Sequence, residues 1–168
     1  RVPVGLVAAI TPFNFPLNLV AHKVAPALAC GCSIVLKPAP ATPLTALKLA
    51  ELLKEAGLPE HVFGIVHGDA DVGKWLTRNE RVDMISFTGS APVAKAISRV
   101  AGLRRTTFEL GGNAAVVVDE SATINDAMIH RLAVAGFAYS GQVCISAQRV
   151  YIHKNIYERT GIKAYKRV

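Results

Sequence analysis

The pattern of apolar and polar residues predicts an α/β fold: a parallel sheet with helices on both faces, followed by the start of a second α/β domain. Three observations predict it. Short apolar runs of strand length alternate with longer stretches of helical spacing, which is the mark of repeated strand–helix–strand units. A helix between consecutive strands returns the chain to run parallel, and repeated units of this kind imply a parallel sheet covered by helices on both faces. The paired glycines Gly111-Gly112 permit a sharp turn and divide residues 1–111 from a further strand–helix–strand pattern in 112–168.

The elements follow in order. Gly5–Thr11 reads as a buried strand. Leu17–Cys30 reads as a helix, bent at Pro26 because proline lacks the backbone donor and crowds the preceding turn. Ser33–Leu36 is a strand. Thr42 and Pro43 open a helix as N-cap and first helical residue, with Leu49, Leu52, Leu53 and Ala56 as its buried face. Gly57 and Pro59 end it. Val62–Val66 is a strand, Val72–Arg78 a short helix and Met84–Thr88 a strand. Ser90 is placed to cap a helix with the face Val93, Ala96, Ile97 and Val100, stopped by Gly102. Thr107–Leu110 and Ala114–Val118 are strands, Asp126–Ala138 is a helix with Ile129, Leu132, Ala133 and Gly136 on one face, and Gln148–His153 is a strand.

With 51% hydrophobic residues in 168, the chain has ample apolar material for a well-cored domain. It begins at Arg1 without Met and runs almost at once into apolar residues, so we read it as a piece of a longer protein or a processed chain. Residues 2–21 are uncharged, yet Pro3, Pro12, Pro16, Asn14 and Asn18 argue against a membrane span. No basic segment with a small-residue cleavage site marks a signal peptide, and a cytoplasmic location is expected. The net charge of +7 is concentrated at the end, where six Lys/Arg from Arg149 onward face Glu158 alone. We read this as a solvated edge, because no nucleic-acid-binding motif accompanies it. Cys30, Cys32 and Cys144 make no disulfide framework and no metal site. Cys30 and Cys32 lie in an apolar stretch and are expected to be buried.

In such sheets ligands gather beyond the C-terminal ends of the strands. Four strand ends carry polar sets there: Thr11-Pro-Phe-Asn14-Phe-Pro, Lys37-Pro-Ala, Phe87-Thr-Gly-Ser90 and Glu109-Leu-Gly-Gly112. A fifth set, Gly141-Gln-Val-Cys144, follows a helix. Each alone has an ordinary explanation: a solvated Lys, a capping Ser, an exposed Glu, a core Cys. In this order, from about Pro3 to Tyr157, they resemble the aldehyde dehydrogenase superfamily. The Val-Cys-Ile-Ser form of the last set is similar to that of lactaldehyde and related small-aldehyde dehydrogenases, and non-phosphorylating glyceraldehyde-3-phosphate dehydrogenase-like members also resemble it. Val143 stands where members that grip a phosphorylated aldehyde carry Arg.

The resemblance implies a Rossmann-like cofactor-binding domain over residues 1–111 and the beginning of a catalytic domain over 112–168. It implies oxidation of an aldehyde to a carboxylic acid with NAD or NADP, through a thiohemiacetal and a thioester on Cys144. Asn14 and the Cys144 backbone N–H would stabilise the oxyanion, and Glu109, expected to be partly buried, would activate the hydrolytic water. Ile10, Thr11, Pro12 and Phe13 would line the cofactor's path. Lys37 would reach the adenine ribose, and Gly68 and Gly73 would bound the turn near the adenosine. Phe87, Thr88, Gly89 and Ser90 would bring a helix N-terminus to the pyrophosphate. Leu110 and Gly111 complete the implied cofactor set. Lys23 matches a family position near the active site. Pro40 stands where many NAD-preferring relatives have a Glu that would repel a 2′-phosphate, so NADP is expected to be accepted at least as well as NAD.

The Gly-x-Gly-x-x-Gly fingerprint is absent, as is a Glu-x-Phe-Gly-Pro stretch, which in the family supplies the Glu holding the nicotinamide ribose. Family members are much longer, so the 168 residues alone are expected to be inactive and the parent to be a homo-oligomer. The tail after Tyr157 fits the family's helix poorly, with Gly161 interrupting it. Two other classes remain open: a non-catalytic homologue acting as a binding or structural piece, and a CoA-acylating aldehyde dehydrogenase.

Overall fold

The structure is a computed structural model and describes residues 2–161. Two compact units divide the chain, Arg1–Leu110 and Gly111–Val168. The first comprises β1 (Leu6–Ile10), α1 (Asn18–Ala29), β2 (Ser33–Lys37), α2 (Pro43–Glu55), β3 (Phe63–Ile65), α3 (Ala70–Arg78), β4 (Met84–Thr88), α4 (Ala91–Ala101) and β5 (Arg105–Glu109). The strands form one sheet in the order β3-β2-β1-β4-β5, every pair parallel. The chain builds outward from β1 through β2 to β3 and then returns to the other side of β1 with β4. The strand order therefore reverses between β1 and β4, and open α/β sheets bind ligands beyond the C-terminal ends of the strands at such a point.

Side-chain alternation along each strand splits the core into two layers. Val7 and Ala9 of β1 and Ile34 and Leu36 of β2 pack with Val20, Val24 and Ala27 of α1 and Ala46 of α2. Ala8 and Ile10 of β1 and Ile85 and Phe87 of β4 pack with Ala94, Ile97 and Ala101 of α4 and Leu76 of α3. We call these the α1/α2 face and the α3/α4 face. A strand buried on both faces needs an unbroken apolar run, which explains why β1 reads Leu-Val-Ala-Ala-Ile.

Helical spacing found the helices but misplaced some faces. The α4 face is Ala94, Ile97 and Ala101, with Val93 exposed. On α2 the buried residue is Ala46, with Leu49 and Leu53 packed beside it; Leu52 is half-exposed and Ala56 exposed. Both errors are a rotation of about one position, within the freedom that a short apolar stripe leaves. Helix α1 continues through Pro26 to Ala29. Neither Thr42 nor Ser90 makes a side-chain cap bond, although each occupies the N-cap position. Cys32 is buried and accepts a hydrogen bond from the Val4 N–H at 3.4 Å. Cys30, expected to be buried, is exposed, because it lies beyond the last buried turn of α1.

In the second unit β6 (Ala115–Val118) pairs in parallel with β7 (Arg149–Ile152) across α5 (Asp126–Phe137). Asn125 caps α5 by accepting from the Met128 N–H at 2.9 Å. The expected α5 face is not enclosed: no residue of that helix is buried. A 3-10 turn, Glu158–Thr160, is closed by Gly161 in the left-handed region, so the expected interruption of the tail at Gly161 coincides with a cap. The remainder of the basic tail lies outside the described residues. Among the described residues no helix is long and apolar enough to cross a membrane.

Candidate active site

The C-terminal edge of the first sheet sorts the predicted residues by face. On the α1/α2 face stand Ser86 and Thr88, which alternate with Ile85 and Phe87 of the opposite layer. Thr88 is in register with Glu109, and Ser86 with Thr107. Thr11 extends β1 on this face, its N–H donating to the Lys37 carbonyl at 3.2 Å. The hydroxyls of Thr11 and Thr88 are buried with no hydrogen-bond partner among the described residues. A buried hydroxyl left unpaired costs about 1–3 kcal/mol, so both point to a ligand's place at this edge. Asn14 follows in the loop after β1, half-buried, its amide oxygen shielded from solvent. Glu109 is exposed at the strand end, not partly buried as expected: in the first unit no helix covers the α1/α2 face of β5, and Arg105 and Thr107 are exposed there too.

Lys23 reaches this polar face from α1. It is only 7% exposed, and its Nζ donates to Ser86 Oγ at 3.1 Å. Burial lowers the range in which it holds its proton, and the charge of Glu109 opposes that effect.

The α3/α4 face carries Ile10, Lys37, Gly73, Phe87 and Gly89 of the residues expected to hold the cofactor, while Thr11 and Thr88 of that set stand on the α1/α2 face. Lys37 ends β2 on this side and is 6% exposed. Its Nζ donates to the Pro38 carbonyl at 3.2 Å, and burial lowers its ionisation range against the opposing charge of Asp69. A Cβ added at Gly73 would lie 3.6 Å from the Lys37 stem and 3.8 Å from Ile10, so α3 packs directly over both. Gly68 has φ +146°, and a Cβ there would strike Val72. Gly89 is equally constrained, since its Cβ would meet the Phe87 ring at 2.5 Å. That ring packs edge-on against Phe108, centroids 6.4 Å apart. Ser90 then leads into α4, whose first turn contains Pro92 and no acidic residue. A helix start with free N–H groups and no competing carboxylate is compatible with an anion. Pro12 is half-buried, Phe13 and Pro40 are exposed, Leu110 packs beside the α4 layer, and Gly111 faces open space.

In the second unit, Cys144 sits in a tight turn in which the Ser146 N–H donates to the Val143 carbonyl at 3.1 Å. The turn is anchored to the end of α5: Ser146 Oγ donates to the Gly136 carbonyl at 3.1 Å and the Ala147 N–H to the Ala135 carbonyl at 2.9 Å. Cys144 is exposed at its tip. Just before it, Tyr139 and Ser140 adopt left-handed conformations, φ 51° and 56°, followed by Gly141 at 75°. Left-handed backbone costs a residue with a Cβ roughly 1–2 kcal/mol. The turn is thus held by its anchoring bonds in a shape the local sequence would not choose.

Sequence reasoning missed Ser86 and the left-handed pair. Ser86 had a readable signal: it is a polar residue inside the apolar strand Met-Ile-Ser-Phe-Thr, two positions before Thr88 and hence on its face. Tyr139 and Ser140 had none, since neither residue type favours positive φ. Among the described residues no cluster of three or more His, Cys, Asp or Glu is placed to hold a metal.

The first unit is thus of the class of doubly wound parallel sheets, with polar residues gathered at the edge where the strand order reverses. The chain belongs to the aldehyde dehydrogenase family, whose family model matches residues 1–168. It is 53% identical over 158 residues to the 3-sulfolactaldehyde dehydrogenase of Priestia aryabhattai, covering 94% of this chain and 33% of that protein. It superposes with TM-score 0.91 on a Mycobacterium tuberculosis aldehyde dehydrogenase complexed with NAD+, at 42% identity, covering 95% of this chain and 33% of the other. It also superposes with TM-score 0.88 on glyceraldehyde-3-phosphate dehydrogenase GapN of Methanocaldococcus jannaschii complexed with NADP, at 42% identity, covering 95% and 36%. The chain therefore spans about a third of the length of the relatives it matches.

Proposed function

We propose that this chain carries the nucleophile, the base and much of the cofactor cradle of an NAD(P)-dependent aldehyde dehydrogenase. The observation that carries the reading is the division of labour at the sheet edge. Glu109 and the unpaired Thr11 and Thr88 hydroxyls stand on one face, and Lys37, Gly73 and Gly89 on the other. The α3/α4 face fits a dinucleotide: its glycines leave room for close approach, Lys37 offers a cation, and the α4 start accepts an anion. Bound NAD(P)+ supplies the hydride acceptor. Relatives of this chain hold either cofactor.

Cys144, as thiolate, adds to the aldehyde carbonyl carbon and forms a thiohemiacetal; its exposed turn leaves the sulfur accessible to the aldehyde. The Asn14 amide and the Cys144 N–H donate to the oxyanion, each worth ~3–4 kcal/mol in comparable acyl chemistry. Once the carbon is oxidised to a thioester, Glu109 takes a proton from water, which attacks the carbonyl and releases the acid and the Cys144 thiolate. A hydrolytic base favours this route over transfer to CoA. The substrate class is a small aldehyde: Val143 provides no cation for a phosphate, and the sulfolactaldehyde relative acts on a three-carbon aldehyde bearing a terminal anion. Residues 1–111 form the cofactor-binding part and 112–168 the start of the catalytic part of a homo-oligomeric, cytoplasmic enzyme. The test is reduction of NAD+ or NADP+ by the intact protein with sulfolactaldehyde and with simple small aldehydes. Absence of aldehyde-dependent reduction with every aldehyde tried would contradict the reading.

A further inference from the structure

The hydrogen bond between Lys23 Nζ and Ser86 Oγ joins two buried residues, one on α1 and one on β4, and the roles above use neither. A lysine stem is flexible, so the ammonium of a buried lysine needs something to fix it. We propose that Ser86 is a positioning residue, whose hydroxyl accepts from Lys23 and holds that ammonium over the β4–β5 face on which Glu109 stands. The proposal rests on the reading of Glu109 as the hydrolytic base.

The geometry supports it from three sides. Ser86 and Thr88 share the α1/α2 face, and Thr88 is the register partner of Glu109. Toward Lys23, β1 presents Val7 and Ala9, and β4 presents Met84, Ser86 and Thr88, none of them charged. On β5 the charged groups of this face are Glu109 and Arg105, and His22, beside Lys23 on α1, is exposed. Glu109 is therefore the opposite charge available to the ammonium within the first unit, and the two attract. An ammonium fixed over that face draws the Glu109 carboxylate toward it.

A hydrogen bond accepted from the charged form favours that form, while burial opposes it. Removing the acceptor leaves burial to act, and Lys23 gives up its proton at lower pH. Turnover uses the Lys23 ammonium in this role, so its alkaline fall moves down with it.

The test is the pH profile of kcat for the intact protein with Ser86→Ala and Ser86→Thr. Ser86→Ala is expected to move the alkaline fall lower by roughly 0.5–1 pH unit, with KM for the aldehyde within about twofold. Ser86→Thr, which keeps the hydroxyl, restores the profile. A Ser86→Ala profile superimposable on the wild type overturns the proposal, whatever happens to thermal stability. If Ser86→Ala fails to fold, Ser86→Cys, with a similar volume and a weak acceptor, carries the same test. Glu109→Gln is measured in parallel. Normal steady-state turnover in that variant overturns the base reading and this proposal with it. Stalled turnover together with an unmoved Ser86→Ala profile overturns the positioning role alone.

Discussion

Thr88 and Glu109 are register partners at the C-terminal ends of β4 and β5, and the Gly89 N–H donates to the Glu109 carbonyl at 3.1 Å, so Glu109, the proposed base, is tied by its backbone to the turn that opens α4. Its carboxyl, by contrast, is exposed. A base anchored in this way is removed chemically by Glu109→Gln without disturbing the ladder. We predict that this variant completes the first oxidation and then stalls. Rapid mixing should show a burst of reduced cofactor and a steady-state rate lower by at least ~10²-fold, the ordinary contribution of a general base. Loss of the burst itself would assign Glu109 another role.

Cys30 and Cys144 are both exposed, and Cys32 is buried. An alkylating reagent is therefore expected to label Cys30 and Cys144 and spare Cys32, while only the labelling of Cys144 tracks loss of activity. Cys144→Ser should abolish turnover, and Cys30→Ser should leave it intact. Peptide mapping alongside residual activity checks both statements.

Lys37 is buried, and its ionisation range is lowered mainly by that burial. Its folded value lies below its unfolded value. Folding therefore bears the desolvation cost in full below the folded value, and the cost fades as pH rises from there to the ordinary lysine range. Lys37→Met should stabilise the protein at neutral pH, with the gain shrinking across that alkaline window. The same variant should weaken cofactor binding. Denaturant unfolding at neutral and alkaline pH, with cofactor titration, decides it; a less stable variant at neutral pH would show that Lys37 is structural.

Pro40 is exposed beyond the end of β2 and offers no hydrogen bond to a ribose hydroxyl. NADP is predicted to serve at least as well as NAD. Pro40→Glu should swing the kcat/KM ratio toward NAD by about tenfold, the ~1.4 kcal/mol of one charge-assisted contact. A wild type that strongly prefers NAD, with that preference unchanged by Pro40→Glu, would contradict the role given to this position.

Much of this was legible in the residues. Strand Met84–Thr88 was predicted to the residue, because an apolar run bounded by Asp83 and Gly89 leaves no other register. The site motifs were legible because they cluster at strand ends, where a parallel sheet binds its ligands. What was not legible depends on contacts distant in sequence. The α2 and α4 faces are set by which side of the sheet each helix covers, and Cys30 is exposed because α1 ends its packing at Ala27. The Ser90 hydroxyl makes no cap bond, although Ser favours that position. The shape of the Cys144 turn comes from bonds to Ala135 and Gly136 that override the preferences of Tyr139 and Ser140.

The central claim is that the aldehyde carbon becomes covalently bound to Cys144, and trapping that bond tests it most directly. The intact Glu109→Gln variant is mixed with aldehyde and cofactor, quenched in acid, digested and weighed by mass spectrometry. The account predicts an acyl group on the peptide containing Cys144 and none on the peptide containing Cys30 and Cys32. Reduced cofactor produced with the Cys144 peptide unmodified, or with the acyl group on another residue, would contradict it.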